Sequence, residues 1–159
     1  MRKFERISFE QFKKDVCDDM KLYEKIELPK RGTSLSAGYD IRSVVHEIIK
    51  PGESKVIKTG IKVFMQEDEA LFIYIRSSLG FKYDVCLSNN VGLIDADFYN
   101  NPENEGHINL KIINHGKEDF EIKIGDRVAQ GVFMKYLKVT DETNVLTKRI
   151  GTSGSTGRE

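Results

Sequence analysis

Four short segments of the chain carry an apolar side chain at every second residue, which is typical of β-strands buried on one face. Their apolar positions are Ile61, Val63 and Met65; Leu71, Ile73 and Ile75; Ile108, Leu110 and Ile112; and Phe120, Ile122 and Ile124. Turn residues separate these segments from their neighbours, as at Pro51-Gly52 and Thr59-Gly60. Many short strands with regular turns predict an all-β sandwich, barrel or jelly roll.

The N-terminal segment is predicted to form the one clear helix, over residues 8–20. Ser8 is a suitable N-cap, and Gln11 stands at the capping-box position three residues later. The helix would pack on the domain through one apolar stripe, made of Phe9, Phe12 and Val16. Strands are expected from residue 21 onward, beginning with Tyr23, Ile26 and Leu28.

Length and charge narrow the classes of partner. A chain of 159 residues favours a single domain. Because 25 Lys and Arg balance 25 Asp and Glu, no general field attracts a nucleic-acid backbone or an acidic membrane. No apolar run approaches the ~20 residues that span a bilayer, and the first 14 residues do not resemble a secretory signal. We therefore expect a cytoplasmic protein with no nucleic-acid or membrane partner.

The cysteines and histidines give no sign of a metal site. Cys17 and Cys86 are far apart in the sequence, so neither a disulfide framework nor a zinc site is expected. His46, His107 and His115 also lack metal-ligand spacing, and each is expected to be a surface or turn histidine.

Five polar or glycine-rich segments interrupt the β pattern. In chain order they are Ala37-Gly38-Tyr39-Asp40-Ile41, Arg76-Ser77-Ser78-Leu79-Gly80, the segment 89–98, Gly125-Asp126-Arg127-Val128-Ala129-Gln130, and the tail 151–157. An arginine followed by two hydroxyls at a strand end suits phosphate oxygens, although an ordinary polar loop has the same composition. The glycine-rich tail could form an anion-binding nest or simply fray, and it lacks the Gly-Lys-Ser/Thr signature of a P-loop.

The acids and the arginine of these segments also allow two interpretations. Asp95 follows Leu93 and Ile94, so its carboxylate is expected beside buried surface, as a working base would be. Asp97 would point to the same side of a continued strand, but a solvated turn acid is the favoured interpretation. Arg127 could bind an anion or form a structural ion pair with Asp126 or another acid.

Taken together, the order and spacing of the five segments resemble the five motifs of the trimeric dUTP diphosphatase family. The matching motifs are 37–40, 76–80, 92–97, 125–130 and 151–157, so the resemblance covers residues 21–159. It implies a β jelly roll in residues 1–147, including an N-terminal helical extension over 1–20. A flexible tail, residues 148–159, would close an active site.

The resemblance also implies the activity and the assembly. Members of the family are homotrimers with active sites at subunit interfaces, and they hydrolyse dUTP to dUMP and pyrophosphate. Mg²⁺ assists the attack of water on the α-phosphorus. This reaction keeps uracil out of DNA and supplies dUMP for thymidylate synthesis. The expected ligands are therefore dUTP and Mg²⁺, and a regulatory protein partner is left open.

Site residues follow from the motifs by the same resemblance. Asp95 matches the aspartate that activates the water, and Asp40 the aspartate that orients hydrated Mg²⁺ through water. The phosphate contacts match Arg76, Ser77, Ser78, Gln130 and, in the tail, Arg149. Ser153 and Gly154 of the tail are further substrate-binding positions. The base and sugar contacts match Asn89, Leu93, Ile94, Phe98 and Asn109, with residues 106–109 expected to return along a β-hairpin beside Leu93 and Ile94.

Three departures from the family pattern stand out. Phe98 occupies a position that is usually Tyr, which keeps the ring under the deoxyribose. The segment Tyr99–Glu105 is a loop insertion of unknown role. Thr152 and Ser153 replace the usual Gly-Phe of the fifth motif, so the aromatic lid over the uracil is missing and chemistry is expected to be retained with a raised KM.

Three other functions are compatible with parts of the sequence. A dCTP deaminase would share the jelly roll and trimer, but it needs a catalytic glutamate and a different third motif. A nucleotide-binding regulator without turnover would explain the altered tail, and Asp95 argues against it. A structural jelly-roll protein would satisfy the fold alone, because a fold does not determine a function.

The altered tail gives a kinetic prediction. Replacing Ser153 by Phe restores a ring that can stack on the uracil, so KM for dUTP should fall about tenfold, given about 1–3 kcal/mol for stacking of a base on an aromatic ring. Steady-state kinetics of the variant beside the unaltered chain measure this. An unchanged KM would contradict the argument about the lid.

Overall fold

The computed structural model describes residues 1–140, which form a mostly β architecture. The strands are β1 (Lys3–Arg6), β2 (Lys30–Arg31), β3 (Tyr39–Arg42), β4 (Glu47–Ile49), β5 (Ser54–Lys58), β6 (Ile61–Phe64), β7 (Glu69–Ile75), β8 (Val85–Leu87), β9 (Gly92–Asp95), β10 (Asn109–Asn114), β11 (Phe120–Ile122) and β12 (Arg127–Lys135). The helices are α1 (Phe9–Asp15), α2 (Met20–Glu24), α3 (Ser77–Tyr83) and a 3₁₀ turn at Ala96–Phe98.

The largest sheet has five strands in the order β2-β3-β12-β7-β9, and each neighbouring pair is antiparallel. A second sheet has the order β5-β10-β8, and two-stranded pairs join β1 to β6 and β11 to β4. Sequential strands thus pair with distant ones, and the arrangement is jelly-roll-like. The all-β fold class predicted from the alternation is confirmed.

The core follows the alternation in the sequence. Strand β6 buries Ile61 and Val63, β7 buries Leu71 and Ile73, β10 buries Leu110 and Ile112, and β11 buries Phe120 and Ile122. The fourth segment does not continue as expected, since β11 ends at Ile122 and Ile124 is 52% exposed. Gly125, with a φ of 89°, follows it in the turn before β12.

The N-terminal helix is shorter than predicted. Ser8 is its N-cap, and the hydroxyl accepts a hydrogen bond from the Gln11 backbone N–H at 3.1 Å, so the predicted start is confirmed. The helix ends at Asp15, however, and α2 begins at Met20 after Asp19 accepts a bond from the Leu22 N–H at 3.1 Å. Aspartate is favoured at the N-cap of a helix and disfavoured in a helix interior. This preference explains why the single predicted helix is divided into two at Asp19.

The segments on either side of these helices also differ from the prediction. Tyr23, expected in a strand, lies in α2, and no strand forms between β1 and Lys30. Strand β1, which alternation in so short and charged a segment could not reveal, pairs with β6 from Lys3 opposite Phe64 to Arg6 opposite Ile61. Phe4 anchors β1 to the large sheet through ring contacts with Tyr39 and Phe133, at 5.5 and 5.4 Å between centroids.

His107 corrects a prediction of another kind. It was expected to be a surface or turn histidine, but its side chain is fully buried, whereas His46 and His115 are exposed as predicted. The burial is possible because both ring nitrogens have partners. Nδ1 lies 2.6 Å from a carboxylate oxygen of Asp15, and Nε2 accepts a hydrogen bond from the Gly60 backbone N–H at 2.9 Å.

Two further observations concern features considered in the sequence. Cys17 and Cys86 are free thiols. No helix within residues 1–140 is long and apolar enough to cross a membrane.

Asn114 is the clearest polar residue of the interior. Its side chain is fully buried, and the amide donates to the carbonyl oxygens of Ile49 and Glu118, each at 2.8 Å. The side-chain oxygen accepts from the Gly116 N–H, also at 2.8 Å. One side chain thereby joins β10 to the end of β4 and to the turn before β11.

Replacing Asn114 by Ala should lower the free energy of unfolding by about 3 kcal/mol, because buried backbone groups would lose their partners. Denaturant unfolding measures the change. The matched control is Gln66→Ala, which removes an exposed amide and should change the free energy by less than about 0.5 kcal/mol. Equal effects of the two substitutions would contradict the role given to Asn114.

Candidate active site

The register of β3, β12 and β7 brings three of the sequence motifs together. Asp40 on β3 lies opposite Gln130 on β12, and Gln130 lies opposite Tyr74 on β7, two residues before Arg76. A cleft of about 280 Å³ opens there. Its lining residues are Gly32, Ser36, Gly38, Asp40, Arg76, Ser77, Ser78, Arg127 and Gln130.

The charge in this cleft favours an anion. The Asp40 carboxylate, whose side chain is 18% exposed, contacts the Arg76 Nε at 3.3 Å and the Arg127 Nη1 at 3.0 Å. Two guanidinium groups therefore surround one carboxylate, which leaves one net positive charge and further N–H donors. Guanidinium, hydroxyl and carboxamide donors in one cleft are the groups that bind phosphate oxygens.

Ser77 and Ser78 reach this cleft from a helix, not from the polar loop that remained possible from the sequence. Arg76 has an extended backbone and serves as the N-cap residue of α3, so the two serines occupy its first turn. The helix places both hydroxyls beside the arginine that precedes them. Motif two is thus held between the end of β7 and the start of α3.

Gly38 leaves room for the side chain of Gln130. A Cβ atom at position 38 would lie 2.5 Å from the Gln130 Oε1, which would have to shift, and 3.2 Å from the Gln130 Cβ, which is a tight contact. The glycine of motif one thereby lets the carboxamide of motif four enter the cleft.

Besides Gly38, three cleft residues were not assigned as site residues from the sequence. Arg127 was left as either an anion contact or an ion-pair partner of Asp126 or another acid, and the structure pairs it with Asp40 at the cleft. Gly32 and Ser36 belong to the turn before β3, where the Thr33 and Ser36 hydroxyls lie 2.7 Å apart. The run of small and hydroxyl residues was their only signal.

Asp95, the expected base, ends strand β9 and is half-buried. A 3₁₀ turn follows at once, so the strand does not continue to Asp97, and the predicted shared side of the two acids is not realised. Asp97 is exposed, as the turn-acid interpretation expected.

Asp95 and the cleft lie toward opposite ends of β7. The Cα partner of Asp95 is Ala70, near the start of β7, whereas Arg76 follows its last residue. Six residues at about 3.3 Å each separate Ala70 from Arg76, or ~20 Å along the strand. The carboxylate and the cleft of one chain therefore cannot act together on neighbouring atoms of one small ligand.

The expected base and sugar contacts lie around the β9 end of the molecule. Asn89, Leu93 and Asn109 are exposed, Ile94 is half-buried, and Phe98 is only 6% exposed. The expected hairpin does not form between 92–95 and 106–109, because β9 pairs with β7 whereas β10 pairs with β5 and β8. Strand β10 instead pairs with β8, which ends just before Asn89. The Ser88 N–H donates to the Lys111 carbonyl at 2.8 Å.

Metal ligands and tail residues complete the set of expected residues. Among residues 1–140, no group of three His, Cys, Asp or Glu side chains converges to hold a metal ion. Among the described residues that line the cleft, Asp40 is the one carboxylate. Arg149, Ser153 and Gly154 lie outside the described residues.

Comparison with known proteins now adds to the geometry. The family model described as dUTPase matches residues 24–157. The deoxyuridine 5'-triphosphate nucleotidohydrolase of Lactococcus lactis is 47% identical over 133 residues, which cover 83% of this chain and 89% of that protein.

Solved structures agree. The dUTPase of Streptococcus mutans has a TM-score of 0.71 and 39% identity, covering 86% of this chain and 97% of its own. A mutant dUTPase from phage phi11 of S. aureus, described with a structural Mg(II) ion, has a TM-score of 0.69, covers 91% and 97%, and at 20% identity supports the fold alone. With a family match over most of its length, the chain belongs to the dUTPase family.

Proposed function

We propose that the protein hydrolyses dUTP to dUMP and pyrophosphate at sites shared between copies of the chain in a homotrimer. One copy supplies the phosphate cleft around Asp40, Arg76 and Gln130, and another supplies Asp95. Residues 1–147 act as the jelly-roll domain, and the tail 148–159 closes a site.

The observation that carries this proposal is the placement of the cleft relative to Asp95. The cleft has the donors for a triphosphate, and Asp95 has the sequence context of the base, yet ~20 Å of β7 separate them in one chain. Both belong to one reaction only when a second copy brings its Asp95 to the cleft. The dUTPase family membership supplies the reaction.

Asp95 acts as the general base in this proposal. Its carboxylate takes a proton from a water molecule as the water oxygen forms a bond to the α-phosphorus. The bond from the α-phosphorus to the bridging oxygen breaks, and pyrophosphate leaves with that oxygen. The demand on the protein is geometric, since the carboxylate must lie within hydrogen-bond reach of a water in line with the breaking bond.

Arg76, Ser77, Ser78 and Gln130 bind the phosphates and hold them in line. Arg127 joins them, because its guanidinium lies 3.0 Å from Asp40 at the same cleft. These donors neutralise the charge that builds on the departing pyrophosphate. In the tail, Arg149 is proposed to contact the phosphates, and Ser153 and Gly154 are proposed to add further contacts to the substrate.

The same cleft fits Mg²⁺ carried by the substrate. Mg²⁺ keeps several waters and takes few carboxylates beside substrate phosphates, and Asp40 offers one carboxylate facing the cleft. Asp40 would hold the hydrated ion through water. When bound, the ion would neutralise charge on the triphosphate oxygens.

The base and sugar are assigned to the opposite end of the neighbouring copy. Asn89, Leu93, Ile94 and Asn109 surround the uracil, and the ring of Phe98 lies under the deoxyribose. A tight pocket excludes cytosine by hydrogen-bond mismatch and thymine by its methyl group.

Exposed apolar side chains support the trimer. Near the cleft, Leu35, next to Ser36, is 95% exposed, and Phe81, three residues after Ser78, is 92% exposed. Leu137, which follows β12 at the end of the sheet away from the cleft, is 98% exposed. Burial of such side chains by a neighbouring copy would stabilise the trimer.

A cytoplasmic location is part of the proposal and agrees with two free thiols.

Replacing Asp95 by Asn should abolish most turnover. Pyrophosphate release from dUTP with Mg²⁺ should fall by roughly 10²-fold or more, because the general base is lost. The unaltered enzyme, assayed beside dCTP, dTTP and UTP, should act on dUTP alone.

The matched control is Asp97→Asn, which removes an exposed carboxylate two residues away and should leave the rate nearly unchanged. Turnover by Asp95→Asn at the control's rate would refute the assigned base. Ammonia released from dCTP would favour a deaminase instead, and dUTP binding without hydrolysis would favour the regulator.

The shared site predicts complementation between two inactive variants. Asp95→Asn keeps its cleft and Arg76→Ala keeps its base, so mixed trimers contain some intact sites. Random assembly of equal amounts should restore about a quarter of full activity. The variants are refolded together, with each variant refolded alone as the control. Mixed trimers verified by native mass spectrometry but without activity would contradict the shared site.

A further inference from the structure

The N-terminal segment, residues 1–24, is packed against the loop 99–107 that joins the 3₁₀ turn to β10. The family match begins at residue 24, so nearly all of this segment lies outside the pattern that defines the enzyme. The loop lies between Phe98 and Asn109, which the proposed function places on the sugar and the base. The contacts between segment and loop therefore bear on substrate binding.

The main contact is the buried pair Asp15 and His107. Asp15 lies at the end of α1, and its carboxylate oxygen lies 2.6 Å from the Nδ1 of His107, whose side chain is fully buried. Because Nε2 accepts the Gly60 N–H at 2.9 Å, it carries no proton, and the neutral ring must carry its proton on Nδ1. Asp15 is the acceptor that this tautomer needs.

Burial lowers the pKa of His107 below its ordinary value, and the bond to Asp15 only partly offsets this effect. Lys58 and Glu105 are the other charged groups that act on the ring. For Asp15, burial opposes ionisation, but the hydrogen bond from His107 holds its carboxyl pKa below the usual value. A neutral histidine that donates to a carboxylate is the state these directions favour.

Gly60 connects the pair to the strands. Its carbonyl accepts the Ile7 N–H at 3.1 Å while its own N–H binds His107. One residue further, the Ile61 carbonyl accepts the Ile108 N–H at 2.9 Å. The His107 ring is thus fixed from α1 on one side and from the β5–β6 turn on the other.

The fixed ring sets the backbone that carries a base contact. The His107 carbonyl accepts the side-chain amide of Asn109 at 3.4 Å, and that of Asn104 at the same distance. A displacement of His107 would therefore also displace the side chain of Asn109. The link runs from Asp15 through His107 to Asn109.

A second group of contacts joins the N-terminal segment to Glu105, beside His107, and to Tyr99 at the other end of the loop. The Ser8 N–H donates to a Glu105 carboxylate oxygen at 2.9 Å, and the Ser8 hydroxyl donates to the other oxygen. Lys62 lies 3.2 Å from the same carboxylate. The Tyr99 hydroxyl donates to Glu5 on β1. These contacts join the segment to both ends of the loop.

We propose that the N-terminal segment positions the uracil and deoxyribose contacts of the enzyme, with the Asp15–His107 hydrogen bond as its principal lock. Asp15 and His107 are positioning residues, since neither is placed on the substrate. Asp95 and the phosphate cleft lie on other elements, so the lock controls KM more than kcat. The inference rests on the proposed dUTP site.

The test is steady-state hydrolysis of dUTP by the full-length trimer. Asp15→Ala should raise KM about tenfold or more with kcat changed less than about threefold, because a charge-assisted buried bond is lost. Asp15→Asn keeps an oxygen that can accept from Nδ1–H, so KM should return most of the way to that of the unaltered enzyme. The control is Glu10→Gln, whose exposed carboxylate on α1 pairs only with Lys13 in the described structure and which should leave KM unchanged.

Hydrogen–deuterium exchange separates positioning from general stability. In Asp15→Ala, amides 99–107 should exchange faster while those of β7 and β12 stay protected. If Asp15→Ala does not fold, Glu105→Gln weakens the second group of contacts and should raise KM in the same direction.

Two results would refute the inference. Unchanged KM in both Asp15→Ala and Glu105→Gln would show that the loop does not set substrate affinity. A lower melting temperature with normal KM and no rescue by Asn would show that the pair stabilises the fold alone. Absence of dUTP hydrolysis by the unaltered enzyme would instead refute the proposed function.

Discussion

The antiparallel pairing of β12 with β3 on one side and β7 on the other is the constraint on which the site depends. This register puts Gln130 between Asp40 and Tyr74, and it brings Arg76 to the same end of the sheet. A slip of one residue would turn Gln130 to the opposite face and separate the carboxamide from the carboxylate. Burial of Val128 and Ala129 in the core holds the register, so packing energy keeps the hydrogen-bond donors of the cleft together.

The sheet that assembles the cleft also separates it from Asp95, the proposed base. Because β9 pairs antiparallel with the first half of β7, Asp95 is carried away from Arg76. A strand is too stiff to fold back over six residues, so no small movement within one chain could join the two groups. Assembly of copies is then a geometric requirement of the proposed chemistry. The exposed Leu35 and Phe81 at the cleft are consistent with the same requirement.

Local patterns predicted what local forces decide. Alternation located β6, β7, β10 and β11, and the Ser8 cap located the start of α1, because each depends on neighbours within a few residues. Motif order located Asp40, Arg76 and Gln130, and the sheet register brought them together. The roles of these residues remain predictions.

What the sequence did not reveal depends on contacts between distant residues. Strand β1 is defined by its pairing with β6. Strand β9 pairs with β7 and not with residues 106–109, the expected hairpin partner. The sequence around Arg127 is compatible with an ion pair to either Asp126 or Asp40. The pairing of β12 with β3 places Asp40 beside it and decides between the two. The burial of His107 could not be predicted from its neighbours in the sequence, because its partners, Asp15 and Gly60, are 92 and 47 residues away.

The cap of α1 shows how such a distant contact can replace a local one. In a capping box the side chain at Gln11 would return to the Ser8 N–H, but that N–H donates to Glu105, 97 residues along the chain. The first half of the motif is local and was predicted, whereas the second half is supplied by the loop 99–107. Because the start of α1 takes a hydrogen-bond partner from this loop, a change in one alters the other. The N-terminal segment and the loop are therefore best understood as one structural unit within the fold.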